Sequence, residues 1–212
     1  MSERRDRDDL RDALLDAVLL QVPFEGWTGL ALRAAAKDIG VELSTARRVF
    51  PGGVGDVLAL WGARGDARML DALAEADLGA MRIRDRIATC VRLRIEPLEP
   101  HREAVRAALS RAGLPHNAPA AMRALWRTVD AMWHAAGDRA TDFNHYSKRG
   151  LLAGVYGSTL LFWLEDGSDD RAESWAFLER RIADVMRVPR AMARLRKLAP
   201  DPERLLRAFA RR

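Results

Sequence analysis

Apolar residues recur every three or four positions along nearly the whole chain, which is the spacing of one face of a helix. Leu10, Leu14, Ala17, Val18 and Gln21 trace the first such stripe. Alternating Val/Ile/Thr runs and Asn-Gly hairpin dipeptides do not occur, so strands are not expected. Ala, Leu and Arg dominate, and all three favour helix. Breakers cut the stripes at Pro23, Gly26, Gly40, Pro51, Pro97, Pro100, Gly113, Pro115, Pro119, Gly137, Gly167, Pro189, Pro200 and Pro202. The pattern predicts an all-α chain of about ten helices, near 10–22, 28–39, 44–50, 54–76, 83–96, 101–112, 118–136, 147–165, 170–188 and 202–211. Thr28, Ser44, Asn117 and Asp169 stand where N-caps belong.

One stretch has no polar face. Leu151–Leu164 is an apolar run of 14 residues containing two glycines. A membrane span needs about 20, so the run reads as a helix covered on every side. Gly150, Ala153, Gly154, Gly157 and Ser158 give it a small-residue face that another helix or an apolar tail could approach. Taken alone, these residues fit a packed core with a helical interface.

Charge adds one asymmetry. The 212 residues carry 35 Lys+Arg against 30 Asp+Glu, a net +5. Residues 187–212 hold nine basic and two acidic residues, so the tail carries +7 and the rest −2. A basic excess confined to one tail points to a membrane surface or an acidic partner at least as well as to nucleic acid. Within it, Leu205, Leu206 and Phe209 lie among Arg204, Arg207, Arg211 and Arg212, a short amphipathic basic helix. The N-terminus mixes acids with arginines and does not read as a leader. Expected divisions are 1–60, 61–188 and 189–212.

Catalytic chemistry is hard to assemble. No GxSxG, P-loop, GxGxxG or HExxH motif occurs. Cys90 is the single cysteine and excludes a CxxC site. His134, Asp138, Asp142 and His145 have the spacing of a ligand set only if one helix runs through Gly137, which is not expected. Glu96 and Glu99 read as solvated surface. The chain is expected to be no enzyme and to hold no metal.

Two resemblances follow. A stripe helix, a helix to Ile39, Gly40, a short Ser44–Phe50 helix, a Pro-Gly-Gly turn and a long helix make helix-turn-helix spacing. The order is similar to the N-terminal domain of TetR-type regulators. Residues 27–60 net only +1, and the turn after Phe50 lacks a phosphate-facing Lys, so a degenerate helix-turn-helix is expected, with no specific nucleic-acid binding. A TetR-type transcription regulator is the alternative.

The second resemblance rests on Gly26-Trp27-Thr28, Phe50-Pro51-Gly52-Gly53, Ile83–Ile87, Val129–Asp138, Thr141–Arg149, Leu151–Leu164 and Trp175–Ile182. These stretches resemble the ubiquinone-biosynthesis accessory family named for the ninth Coq protein, in its bacterial form. The resemblance implies a TetR-like helical bundle ending in an amphipathic helix. It implies a homodimer, with an isoprenoid quinone precursor or phospholipid bound and no further cofactor. Trp126, Val129, Met132, Trp133, Leu151, Val155, Tyr156, Leu160, Phe162, Trp163, Phe177 and Ile182 would surround the lipid. Asp142, Phe143, Asn144, His145, Tyr146, Lys148 and Arg149 would meet a demethoxyubiquinone hydroxylase, with His145 where the family typically has Trp. Arg204, Leu205, Leu206, Arg207, Phe209, Arg211 and Arg212 would dock on an anionic membrane. The implied location is cytoplasmic, peripheral on a bacterial inner membrane.

Overall fold

A computed structural model describes residues 2–76, 78–137 and 143–198. Among them there are nine α-helices and no strand: α1 (Ser2–Glu25), α2 (Gly29–Asp38), α3 (Leu43–Val49), α4 (Val54–Ala74), α5 (Ile83–Ile95), α6 (Arg102–Ala112), α7 (Ala118–Ala135), α8 (Phe143–Glu165) and α9 (Ala172–Leu198). Short 3-10 turns cover Leu78–Ala80, Glu96–His101 and Asp169–Arg171.

Most helix ends lie within three residues of the sequence expectation, but α1 starts at Ser2 where the expectation was residue 10. Pro23 does not end α1 and Pro189 does not end α9. A proline removes one donor and crowds one carbonyl, which tertiary packing can absorb. The break expected at 188 is therefore replaced by continuous helix to Leu198. α8 starts four residues early, at Phe143, inside the stretch expected to meet a partner. The predicted 202–211 helix, with Arg204 to Arg212, lies outside the described residues, as does Asp142. Thr28 caps α2, its hydroxyl accepting from the Leu30 amide at 3.2 Å. Ser44 lies inside α3, and Asn117 instead donates to the Arg111 carbonyl at 3.0 Å.

Two apolar clusters form. The first joins α1–α3 and the start of α4 around Leu14, Val18, Trp27, Leu32, Phe50 and Val57. The second joins α4, α5 and α7–α9 around Met69, Val91, Met132, Val155, Trp163 and Leu178. Trp61, midway along α4, packs against both. It tilts against Trp27 at 5.4 Å and meets His101 edge-on at 6.3 Å. Trp27 Nε1 donates to the Ala104 carbonyl at 2.9 Å, 77 residues away. The start of α6 is thereby tied to the helix-turn-helix.

Candidate functional site

The apolar stripe of α8 is Leu152, Val155, Thr159 and Trp163, three or four residues apart and all buried. At its N-terminal half the stripe meets α7 through Trp133, α9 through Ile182, Val185 and Met186, and the first turns of α5 through Ile83, Arg84 and Ile87. These residues line an apolar groove of about 30 Å³. Ile83 and Met186 are 54% and 51% exposed, so the groove opens to solvent between α5 and α9. Apolar surface left open in this way favours an apolar occupant. Trp133 is held in the wall by its Nε1, which donates to the Lys148 carbonyl at 3.0 Å. The Lys148 ammonium stands 5.6 Å from the same ring.

Further along the stripe, Thr159 Oγ1 and Trp163 Nε1 are buried with no hydrogen-bond partner among the described residues. Both side chains are fully buried. Such orphaned groups are uncommon in folded proteins. They lie one and two turns beyond Val155, on the stripe that lines the groove.

The residues expected around a lipid separate into three places. Trp133, Val155 and Ile182 line the groove. Val129, Met132, Tyr156, Leu160 and Trp163 lie in the closed core. Phe162 and Phe177 stack on each other at 4.6 Å, Trp126 stacks on Tyr146 at 6.1 Å, and Leu151 is half-buried. The α5 wall, Ile83, Arg84 and Ile87, was not expected. Its signal was an apolar pair four residues apart at a helix start.

The patch expected to meet a partner is similarly divided. Phe143, Asn144 and His145 stand in the first turn of α8. Tyr146 is 64% exposed. Arg149 is the exception, because it is buried. Its Nε donates to Asp130 Oδ1 at 2.5 Å, fastening α8 to α7. It supports the surface from behind.

The opposite face of α8 is open. Gly150, Gly154 and Gly157 have nothing within 4 Å of an added Cβ, and Leu161, one turn on, is 58% exposed. The four residues form one stripe, 4, 3 and 4 apart, with no described partner helix against it.

Buried charge links α4, α5 and α7. Asp66 on α4 accepts from Arg94 Nε at 2.8 Å, Thr128 Oγ1 at 2.8 Å and Arg127 Nε at 3.1 Å. Burial opposes the Arg94 charge, but Tyr156 and the Asp66 carboxylate raise its pKa above the ordinary range. Asp66 and Arg94 were missed in sequence. Each sits on an apolar stripe, Asp66 with Met69 and Leu73, and Arg94 with Cys90, Val91 and Leu98, and a charge on such a stripe is a signal of buried pairing. Burial pushes the Cys90 thiol up to about 11, which makes it an unreactive core residue. Glu99 is no bare surface acid. Hydrogen bonding to Arg171 holds its carboxyl low.

A second anchored element closes α8. Asp166 accepts from the Ser168 and Ser174 amides, both at 2.8 Å, and from both serine hydroxyls. Burial opposes its charge, but these bonds overcome the penalty and hold its carboxyl far below the ordinary range. Asp170 and Arg171, both at positive φ, follow in the loop it pins.

The family model of COQ9 matches residues 118–189, covering α7, α8 and most of α9. The mitochondrial ubiquinone biosynthesis protein COQ9 of Bos taurus is 35% identical over 190 residues, 84% of this chain and 58% of that protein. Its Homo sapiens counterpart is 34% identical over 186 residues, with 84% and 58% covered. That of Drosophila melanogaster is 29% identical over 185 residues, with 85% and 56% covered. The chain thus spans under two thirds of the length of these relatives. Among solved structures, a TetR transcriptional regulator from Nitrosomonas europaea superimposes with a TM-score of 0.68 at 22% identity, over 84% of this chain and 98% of that one. That likeness establishes a TetR-like fold.

Proposed function

Because this chain belongs to the COQ9 family, we propose that it serves ubiquinone biosynthesis as a non-catalytic accessory protein that holds an isoprenoid quinone precursor. The observation that carries this reading is the apolar groove between α5, α7, α8 and α9, whose α7, α8 and α9 walls fall inside the matched region. An isoprenoid tail would lie along Ile83, Trp133, Val155 and Val185. Binding energy comes from apolar burial at about 25 cal/mol per Å². No step of bond making or breaking is assigned to the chain.

Presentation to a hydroxylase would use the first turn of α8, with Tyr146 as the exposed aromatic anchor and Arg149 holding the turn in place. Two copies would meet through the Gly150–Gly154–Gly157–Leu161 stripe, where the absence of side chains permits close helix approach. The basic segment from Arg204 to Arg212 would dock the dimer peripherally on an anionic inner-membrane surface.

Solvent extraction of the purified protein, followed by mass spectrometry, tests the central claim. A near-stoichiometric isoprenoid quinone that falls several-fold in Val185→Trp, with the melting temperature held, supports it. Empty native protein that retards duplex DNA would overturn it in favour of a regulator.

A further inference from the structure

Trp61, Arg64, Gly65 and Arg68 lie on one face of α4, at intervals of three, one and three residues. Opposite them stand the end of α5, with Arg94, and the Glu96–His101 turn, with His101. Together these residues enclose a pocket of about 30 Å³, room for one small polar group.

The pocket is built around a buried cation. Arg94 is 8% exposed. Its Nε is taken by Asp66 and its Nη2 by the Gly62 carbonyl at 3.3 Å. Its Nη1 has no hydrogen bond among the described residues. Gly65 is what lets the guanidinium lie there, since a Cβ at that position would stand 2.7 Å from Arg94 Cζ.

Charge around the pocket does not balance. Arg64 is paired with Asp16, and with Asp12 at 3.5 Å. Arg94 and Arg127 share Asp66. Arg68 has no ion pair among the described residues. Four guanidinium groups therefore meet three carboxylates. His101 senses the surplus: burial lowers its pKa, and the charges of Arg64 and Arg68 push the same way against Asp16. A free guanidinium, the unbonded Nη1 of Arg94 and an imidazole facing one small volume suit an oxyanion with several acceptor oxygens.

We propose that the pocket formed by Arg64, Arg68, Arg94 and His101 binds a single phosphate group. The site lies at the junction of the two apolar clusters and is independent of the groove and of the lipid-carrier reading. Its ligand is inorganic phosphate or the phosphate of a headgroup.

The test follows the His101 ring protons by NMR, assigned with His101→Gln, as sodium phosphate replaces sodium chloride at constant ionic strength. A saturable shift is expected, with a midpoint raised about five-fold or more in Arg68→Gln, the loss of one exposed charge-assisted contact. Arg68 is exposed, so that variant is expected to keep the native melting temperature. Identical spectra in chloride and phosphate would overturn the proposal. So would an unchanged midpoint in folded Arg68→Gln. Dihexanoylphosphatidic acid below its micellar concentration separates the sources. A tighter midpoint than inorganic phosphate assigns a lipid headgroup, and an equal or weaker one assigns free phosphate.

Discussion

Replacing Asp66 by Asn keeps the shape of the side chain and removes its charge. Three donors converge on that carboxylate, from α5 and α7. Arg94 is the costly one, because its guanidinium stays charged and 8% exposed. Stranding one member of a buried pair costs about 3–5 kcal/mol. Arg127 is half-exposed and adds about 0–1 kcal/mol. Thr128 keeps its second bond, to the Ala124 carbonyl, and adds little. The expected loss is about 3–5 kcal/mol, a fall in melting temperature of roughly 6–20 °C for a chain of this size. Urea unfolding followed by tryptophan fluorescence measures the first, and calorimetry the second. Asp66→Leu with Arg94→Met should recover most of the loss, since apolar replacement of both partners leaves no orphaned charge. A loss below about 1 kcal/mol in Asp66→Asn, or a double variant as weak as the sum of its singles, would refute the account of Arg94 as a charge held by one carboxylate.

Asp166 gives a pH-dependent prediction. Its folded carboxyl is held low, so its contribution to stability is full above the ordinary carboxylate range and is lost as pH falls from there through the depressed folded value. Asp166→Asn should flatten the acid limb of a melting-temperature profile, and a limb of unchanged steepness would count against this role. Leu161→Glu should turn a dimer into a monomer by light scattering with little change in melting temperature, because the side chain is exposed within one copy. A persistent dimer would move the interface off α8. Changing Leu205, Leu206 and Phe209 together to Ser should abolish co-sedimentation with anionic liposomes, and retained binding would place membrane contact elsewhere.

The helices were legible because local spacing creates them, and α2, α4, α5 and α7 fall within two residues of the expected ranges. Pro23 and Pro189 misled because a proline's local cost says nothing of the packing on the rest of its helix. The site was half legible. Trp133, Val155 and Ile182 belong to apolar stripes that had to face inward, and they do line the groove. The same logic could not separate them from Val129 and Met132, since a stripe shows which side is covered but not where the cover stops. Ile83 and Ile87 close the groove from 50 residues away. Arg149 was expected at a partner surface through the family resemblance, yet its helical phase directs it at Asp130. The Asp66 cluster draws on residues 66, 94, 127 and 128, and no short window contains it.

Trp61 makes the helix-turn-helix helices part of the whole bundle. One indole serves two cores, and its neighbour Trp27 is bonded to α6. The N-terminal helices are therefore not a detachable module. Excising residues 1–53 would uncover one side of α4 and remove the Trp27 bond to the Ala104 carbonyl. Hydrogen exchange should show α1 and α4 opening with one common free energy, as a single foldon.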